Sequence, residues 1–234
     1  MNQLIKTALP AALLAALPLT ADAGLILGWE TWASGSEAAS TAVGDITGLG
    51  VESGDWRESN RAASNDGTFG TAAGASTATG AASTGTYIGQ TGGSGSYAFT
   101  ITAGVDQVIL ETFHFDARRK RNNSPENWSV DVVAGDISLV NLGSGSLGNT
   151  LGTIGPSDHD DFDLDMTGLA DNVLDPGQSA TVRISWSGGN PTNSDQRTYM
   201  DNVGFSGQVV PEPASLALLS LGGLMIARRR RSMR

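Results

Sequence analysis

The stretch Gln107-Val108-Ile109-Leu110-Glu111-Thr112-Phe113-His114-Phe115 decides the fold. It is rich in β-branched and aromatic residues and contains no glycine or proline, which is typical of a β-strand. Counted with a period of two, one face carries Ile109, Glu111, Phe113 and Phe115, and the other carries Val108, Leu110, Thr112 and His114. The stretch therefore predicts a long strand near the middle of the chain.

Similar segments occur on both sides of this stretch. Strands are predicted at 24–32, 96–101, 128–132, 161–166, 180–187 and 198–206, separated by turn-rich gaps with no intervening helical period. Val182, Ile184 and Trp186 share a face, and Trp128, Val130 and Val132 do the same. This pattern predicts an all-β fold, an antiparallel β-sandwich.

The last predicted strand contains an exception to the usual alternation. Tyr199, Asp201, Val203 and Phe205 fall on one side, which places a carboxylate among apolar side chains. Either Asp201 has a buried partner, or the true register is shifted by one residue.

The region from Ser34 to Gly95 has low complexity. It consists mostly of Ala, Ser, Thr and Gly, with weak strand signals at 46–51, at Trp56 and at 87–88. The segment 70–85 has almost no large apolar side chain, so burial cannot offset the entropy cost of ordering it. We expect a long loop or a set of edge strands.

The first residues have the features of a secretory signal peptide. Lys6 supplies the positive charge, 8–19 is the apolar segment, and Ala21-Asp22-Ala23 is a small-x-small cleavage site. The sequence therefore predicts a signal helix, export by the Sec translocase, and cleavage by signal peptidase before Gly24.

The C-terminus contains three successive signals. Pro211-Glu212-Pro213 is held extended and accessible by its prolines, an apolar run covers 214–227, and Arg228, Arg229, Arg230 and Arg231 follow. The run would span about 21 Å as a helix, so crossing a core of about 30 Å requires snorkelling arginines or local thinning of the bilayer. It predicts a C-terminal transmembrane helix with a cytoplasmic C-terminus and an external body.

This three-part order resembles the PEP-CTERM family of exported bacterial proteins. Pro211, Glu212 and Pro213 match the family motif, and the apolar run and arginine cluster match the rest of the tail. The resemblance implies that an exosortase, a membrane cysteine protease or transpeptidase, recognises and cuts the tail. It also implies an association with exopolysaccharide and the cell surface.

The strand pattern of the body is similar to the jelly-roll sandwiches of exported PEP-CTERM proteins and carbohydrate-binding modules. We therefore expect a signal peptide at 1–23, a jelly-roll-like domain at 24–208 with a low-complexity region at about 34–95, and a sorting and anchor segment at 209–234.

Charge and cysteine content limit the functions that the protein can have. Six of the 14 basic residues lie outside the body, namely Lys6 and the five C-terminal arginines, which leaves the body with a net charge near −14. Such a charge favours solubility and cation binding and argues against nucleic acid as a partner. The chain has no cysteine, so it has neither disulfides nor thiol chemistry.

No catalytic motif supports an enzyme. His114 lies in a predicted strand and His159 in an acidic loop, and neither a Gly-x-Ser-x-Gly elbow nor a His-Glu-x-x-His pair is present. A secreted glycoside hydrolase is the less favoured alternative, because its two carboxylates would meet only in the folded chain.

The sequence requires no cofactor, but calcium is a hypothesis at two places. The first is the acidic cluster of Asp158, Asp160, Asp161, Asp163 and Asp165, which fails the EF-hand pattern and is better explained as the solvated face of a strand. The second follows from the jelly-roll resemblance: in some carbohydrate-binding modules the first and last strands share a structural Ca²⁺, and Glu30 and Asp201 occupy comparable positions.

Two features suggest glycan contacts. Arg118-Arg119-Lys120-Arg121 is the only basic run of the body, with a solvated turn as the favoured interpretation and a contact for anionic polysaccharide or lipopolysaccharide as the alternative. Trp128 and Trp186 lie in apolar register and are expected in the core. Trp32 and Trp56 lie beside weakly ordered stretches and are the better candidates for sugar stacking.

The sequence thus predicts an exported cell-surface protein, transiently anchored in the membrane, with a structural or adhesive role in the exopolysaccharide layer. A carbohydrate-binding module is the main alternative, with polysaccharide as its partner.

Overall fold

A computed structural model describes residues 24–29, 36–59, 87–119, 121–148, 160–190, 192 and 197–211, without the side chains of 55–59 and 87–92. The expected signal helix, the C-terminal run at 214–227, Glu30 and Trp32 lie outside these residues. Within the described ranges, no helix has the length and apolar character needed to cross a membrane.

The described residues form twelve β-strands and no helix. They are β1 Gly24–Trp29, β2 Ser36–Ala38, β3 Thr41–Ala42, β4 Thr47–Ser59, β5 Tyr87–Thr102, β6 Gln107–Arg119, β7 Asn127–Gly135, β8 Asn141–Ser146, β9 Asp160–Asp165, β10 Val173–Leu174, β11 Ser179–Ser187 and β12 Arg197–Val210. All pairings among them are antiparallel, which confirms the predicted all-β antiparallel sandwich.

The strands are arranged in two layers. The front layer has the order β2-β4-β5-β11-β7-β8, and the back layer places β12 between β1 and β6, with β9 and β10 on the outer edge of β6. β5 joins the layers, because residues 88–91 pair with β12 whereas residues 95–102 pair with β11.

Aromatic rings fill the space between the layers. Phe99 of the front layer lies 6.0 Å from Phe113 of the back layer, measured between ring centroids, and 5.0 Å from Trp29. Phe115 packs edge-on against Trp128 and Trp186, which confirms that these two tryptophans belong to the core. Such edge-to-face packing adds to the stabilisation from burying apolar area.

Glycines explain why β4 is weakly visible in the sequence. A Cβ on Gly48 would lie 2.6 Å from the Leu27 side chain, and one on Gly50 would lie 2.6 Å from the Tyr97 ring. Large neighbours fill these inward positions, so the strand needs no hydrophobic alternation of its own. Part of the low-complexity region therefore forms strands β2, β3, β4 and the start of β5.

Two β-bulges between β6 and β12 alter the predicted alternation, one on each strand. Between Ser206 and Gly207 of β12 the extra residue is Glu111 of β6, so β6 buries Val108 and Leu110 before the bulge and Phe113 after it. The predicted common face of Ile109 and Phe113 was therefore wrong.

Candidate functional site

Six side chains from three strands meet on the outward side of the back layer. We call them the polar cluster: His114 and Asp116 of β6, Asp161 and Asp163 of β9, and Asp201 and Asn202 of β12. The antiparallel register produces this arrangement, because His114 lies opposite Asp163, while Asp116 lies between Asp161 and Asp201. Residues 114 and 116 are two positions apart on one strand and so share a face.

His114 is held between two carboxylates. Its Nδ1 atom lies 2.7 Å from Oδ1 of Asp163, and its Nε2 atom forms an ion pair with Oδ1 of Asp116 at 3.0 Å. A neutral imidazole has a single N–H, so a carboxylate oxygen at each nitrogen favours the doubly protonated ring. Burial opposes the charge, but the two carboxylates outweigh it and the pKa of His114 is raised.

Asp116 is a fully buried acid in the same cluster. Burial raises its pKa, and its hydrogen bond with the Asp161 carboxyl acts in the same direction, whereas His114 and Asn202 oppose the shift. The Nδ2 group of Asn202 donates a hydrogen bond to Oδ2 of Asp116 at 2.6 Å. The Asp116 carboxyl group therefore retains its proton more readily than that of an exposed aspartate, because its pKa is raised.

The bulge at Asn202 corrects the predicted register of Asp201. Asn202 has a φ of 48°, in the left-handed region, and its N–H donates to Oδ1 of Asp201 at 2.9 Å. The extra residue turns Asp201 away from the core side of Phe205 and onto the side of Asp116. Of the two predicted alternatives, a buried partner or a shifted register, the pairing of Asp201 with Asp116 shows the shift, so the predicted face shared with Phe205 was wrong. Asp201 is 1% exposed.

The described residues contain no group of three or more His, Asp or Glu side chains that could hold a metal ion. Of the predicted calcium pair, Asp201 is among the described residues, whereas Glu30 is not. In the acidic strand β9, Phe162 and Leu164 pack against the core, as the amphipathic interpretation predicts. Asp163 departs from it by binding the buried His114.

The basic run was predicted as a solvated turn, but its first two arginines are buried in β6. The guanidinium carbon of Arg118 lies 5.0 Å from the centre of the Tyr199 ring. Arg119 forms an ion pair with Glu126 at 2.7 Å and donates to the carbonyl of Asn122. Arg118 and Arg119 thus stabilise one end of the sandwich, and a polysaccharide contact at them is unsupported.

His114 and Asp116 are both 0% exposed. A substrate cannot reach either group in this conformation, although histidine and aspartate side by side can serve as acid and base in an accessible site. His114 and Asp116 are therefore part of a buried ion network.

A second candidate surface is a row of serines on the outward face of the front layer. Five serines lie opposite one another on five neighbouring strands: Ser53, Ser96, Ser185, Ser129 and Ser144. On the adjacent row, Asn141 donates to Asp131 at 2.7 Å. The strands are about 4.8 Å apart, so the row places hydroxyl groups at regular intervals across the face of the front layer.

Neither the polar cluster nor the serine row was predicted from the sequence. The serine row leaves a signal in the alternation of serine with apolar residues, as in Ser185-Trp186-Ser187 and Ser144-Gly145-Ser146. Of the predicted sugar-stacking residues, Trp56 lies in β4 with its backbone opposite Gln90, and its side chain is not described.

The body ends where the predicted sorting motif starts. Val209 and Val210 pair with Val108 and Gln107 as the last residues of β12, and Pro211 is exposed directly after them. The strand thus runs two residues past the expected domain boundary at 208.

Comparisons with known proteins give one family match. The model of the PEP-CTERM protein-sorting motif matches residues 209–231, as the resemblance implied. No curated protein matches the sequence.

A comparison with solved structures finds a carbohydrate-binding module specific for non-crystalline cellulose. Its TM-score is 0.32 at 15% identity, over 52% of this chain and 74% of that one. Carbohydrate-binding modules of the β-sandwich superfamily give a TM-score of 0.33 at 13% identity, over 73% of this chain and 55% of theirs.

Proposed function

The chain carries a PEP-CTERM protein-sorting motif at residues 209–231, and from this premise we propose that it is an exported cell-surface protein sorted by an exosortase. In this proposal the tail is held in the membrane by the run 214–227 with the arginines on the cytoplasmic side. Cleavage near Pro211 to Pro213 then releases a β-sandwich. Before this step, the Sec translocase exports the chain. Signal peptidase recognises Ala21 and Ala23 and cuts before Gly24.

The position of the motif supports this proposal. Pro211 is exposed and follows the last paired residue of β12 without a linker. Because proline favours an extended conformation of the preceding residue, we expect the Pro-Glu-Pro motif to be accessible to an enzyme. The folded body therefore ends where the cut is expected.

Changes to the motif test the sorting. We expect Glu212→Gln and Pro211→Ala to leave the full-length chain in the membrane fraction of the native host, whereas Ser144→Ala, in the body, leaves processing unchanged. Equal processing of all three variants would reject recognition through the motif.

The mature body has a structural or adhesive role in the exopolysaccharide layer. The acidic body, which favours solubility, and the hydroxyl-rich face of the front layer are consistent with a component of a hydrated matrix.

A carbohydrate-binding module is the second candidate, and the serine row is the observation that favours it. Saturable binding to one defined glycan would support it. Loss of binding in Ser185→Glu would assign the site to the serine row. Loss of binding in Trp32→Ala and Trp56→Ala would assign it to a tryptophan stacking site. The exposed Val105→Ser is a control outside both surfaces. Release of reducing ends from the glycan would instead indicate the secreted hydrolase.

Structural calcium at Glu30 and Asp201 remains a prediction from the jelly-roll resemblance. We expect Ca²⁺ to raise the melting temperature of the body and Asp201→Asn to abolish that rise. Equal melting with Ca²⁺ and with a chelator would remove this site.

A further inference from the structure

Exposed apolar residues are concentrated at one end of the sandwich. The large hydrophobic residues exposed in the described part of the chain are Val43, Leu49, Val51, Val105, Leu139, Val140 and Val210. Leu49 and Val51 lie on β4, while the other five lie in loops or at the last strand end. Val105 and Leu139 are the most exposed, at 69% and 66%.

Hydrogen bonds show that these loops form one surface, which we call the exit end: loops 43–46, 103–106, 136–140 and 171–178, with Val210 and Pro211. The N–H of Val105 donates to Asp45 at 2.7 Å, and the N–H of Gly177 donates to the Ala103 carbonyl at 3.1 Å. The hydroxyl of Ser138 accepts from the N–H of Asp171 at 3.1 Å. The loops are therefore fixed beside one another.

The chain leaves the body at the exit end. Val210 pairs with Gln107 at the start of β6, and the apolar run begins at Ala214. The three intervening residues, 211–213, can span at most about 10 Å, at about 3.3 Å each. If the run is in the membrane, which is part of the proposed function, this short linker leaves the exit end beside the bilayer surface.

We propose that the exit end rests on the lipid bilayer, with Val105 and Leu139 inserted at the interface, for as long as the tail is uncut. This contact holds the Pro211 to Pro213 segment at the membrane surface, within reach of a membrane-embedded enzyme. A few apolar side chains bind a membrane weakly. Cutting the tail therefore frees the body.

The charges at the exit end specify the kind of membrane contact. Its described residues include Asp45, Asp106, Asp136, Asp171 and Asp175 and no lysine or arginine. The contact therefore relies on apolar insertion, and anionic lipid weakens it through like-charge repulsion. A protein partner with a basic rim would show the opposite dependence on charge.

The absence of cysteine allows a direct test on the full chain. Val105→Cys and Leu139→Cys place single labels at the exit end, and Asn123→Cys, in the exposed loop between β6 and β7, is the matched control at the other end. Each labelled chain is reconstituted in phosphatidylcholine vesicles that contain a lipid-attached quencher. We expect labels at 105 and 139 to lose most of their emission and the label at 123 to keep it.

Flotation with the vesicles distinguishes failure of the proposed membrane anchor from failure of this inference alone. A chain that does not float lacks a membrane anchor, which overturns the anchored state in the proposed function together with this inference. A chain that floats with equal quenching at all three positions overturns this inference alone. Stronger quenching at 105 and 139 when anionic lipid is added would also contradict it. Protection of these positions solely in native membranes would assign the surface to a protein partner instead.

Discussion

Nδ1 of His114 lies 2.7 Å from Oδ1 of Asp163, directly across the pair of strands β6 and β9. The imidazole also faces Asp116 of its own strand, so one ring connects an outer strand to the buried acid of the back layer. β9 carries Phe162, whose ring stacks on Phe115 at 4.7 Å. The ion network thus keeps in place a strand that covers part of the aromatic core.

Removing the imidazole should destabilise the body strongly. His114→Gln leaves the Asp116 carboxylate buried without its cation, and breaking a buried pair in this way costs about 3 kcal/mol of unfolding free energy. Urea unfolding of the purified body measures the loss. The control Asp160→Asn, exposed on the same strand pair, should change stability by less than about 0.5 kcal/mol; equal effects would contradict the structural role of His114.

The polar cluster also predicts that the body is more stable in mild acid than in mild alkali. The pKa of His114 is raised, so its stabilising contribution is complete below the unfolded value near 6.5 and is lost as the pH rises through the folded value. The pKa of Asp116 is raised as well, and its contribution changes with pH in the same direction.

Melting temperatures between pH 5 and pH 9 test the predicted decrease of stability with increasing pH. General self-repulsion of an acidic body contributes to the same trend, so the informative quantity is the difference between wild type and His114→Gln. We expect the stability difference between the two proteins to shrink with increasing pH. A constant difference would show that His114 does not titrate in this range.

Gly207 of β12, which lies opposite the bulge on β6, should not tolerate a side chain. A Cβ there would lie 2.0 Å from the carbonyl oxygen of Ile109, so Gly207→Ala must displace β12 from β6. We expect a loss of about 2 kcal/mol or more. Gly148→Ala, with no atom within 4 Å of its Cβ, is the matched control and should be near neutral.

Two substitutions at Asn202 separate backbone strain from the lost hydrogen bond. Alanine and glycine both remove the 2.6 Å hydrogen bond to Asp116, but glycine adopts the left-handed φ of 48° without cost. Asn202→Ala should therefore be less stable than Asn202→Gly by about 1 kcal/mol in denaturant unfolding. The reverse order would show that the strained bulge relaxes.

The sequence predicted the fold where strands bury one face in the core. Val182, Ile184 and Trp186 are inward as expected, since an uninterrupted strand cannot change parity. The prediction failed at bulges, because period-two counting does not detect an inserted residue such as Asn202. It was also weak in β4, where glycines fit against rings contributed by distant strands.

The candidate sites were harder to predict than the fold. The sorting motif is contiguous and could be predicted in full, whereas the polar cluster joins residues up to 88 positions apart, from Asn202 to His114, through cross-strand register. Arg118 and Arg119 were assigned to solvent because charge alone does not reveal a nearby ring or carboxylate.

The intact mass of the protein recovered from the surface of its native host tests the central claim most directly. If an exosortase sorts the protein, the recovered chain starts at Gly24 and ends near Pro211 to Pro213, with or without an added group on the new C-terminus. A mass that retains Ala214 to Arg234 would make the tail a permanent anchor and would contradict sorting by an exosortase.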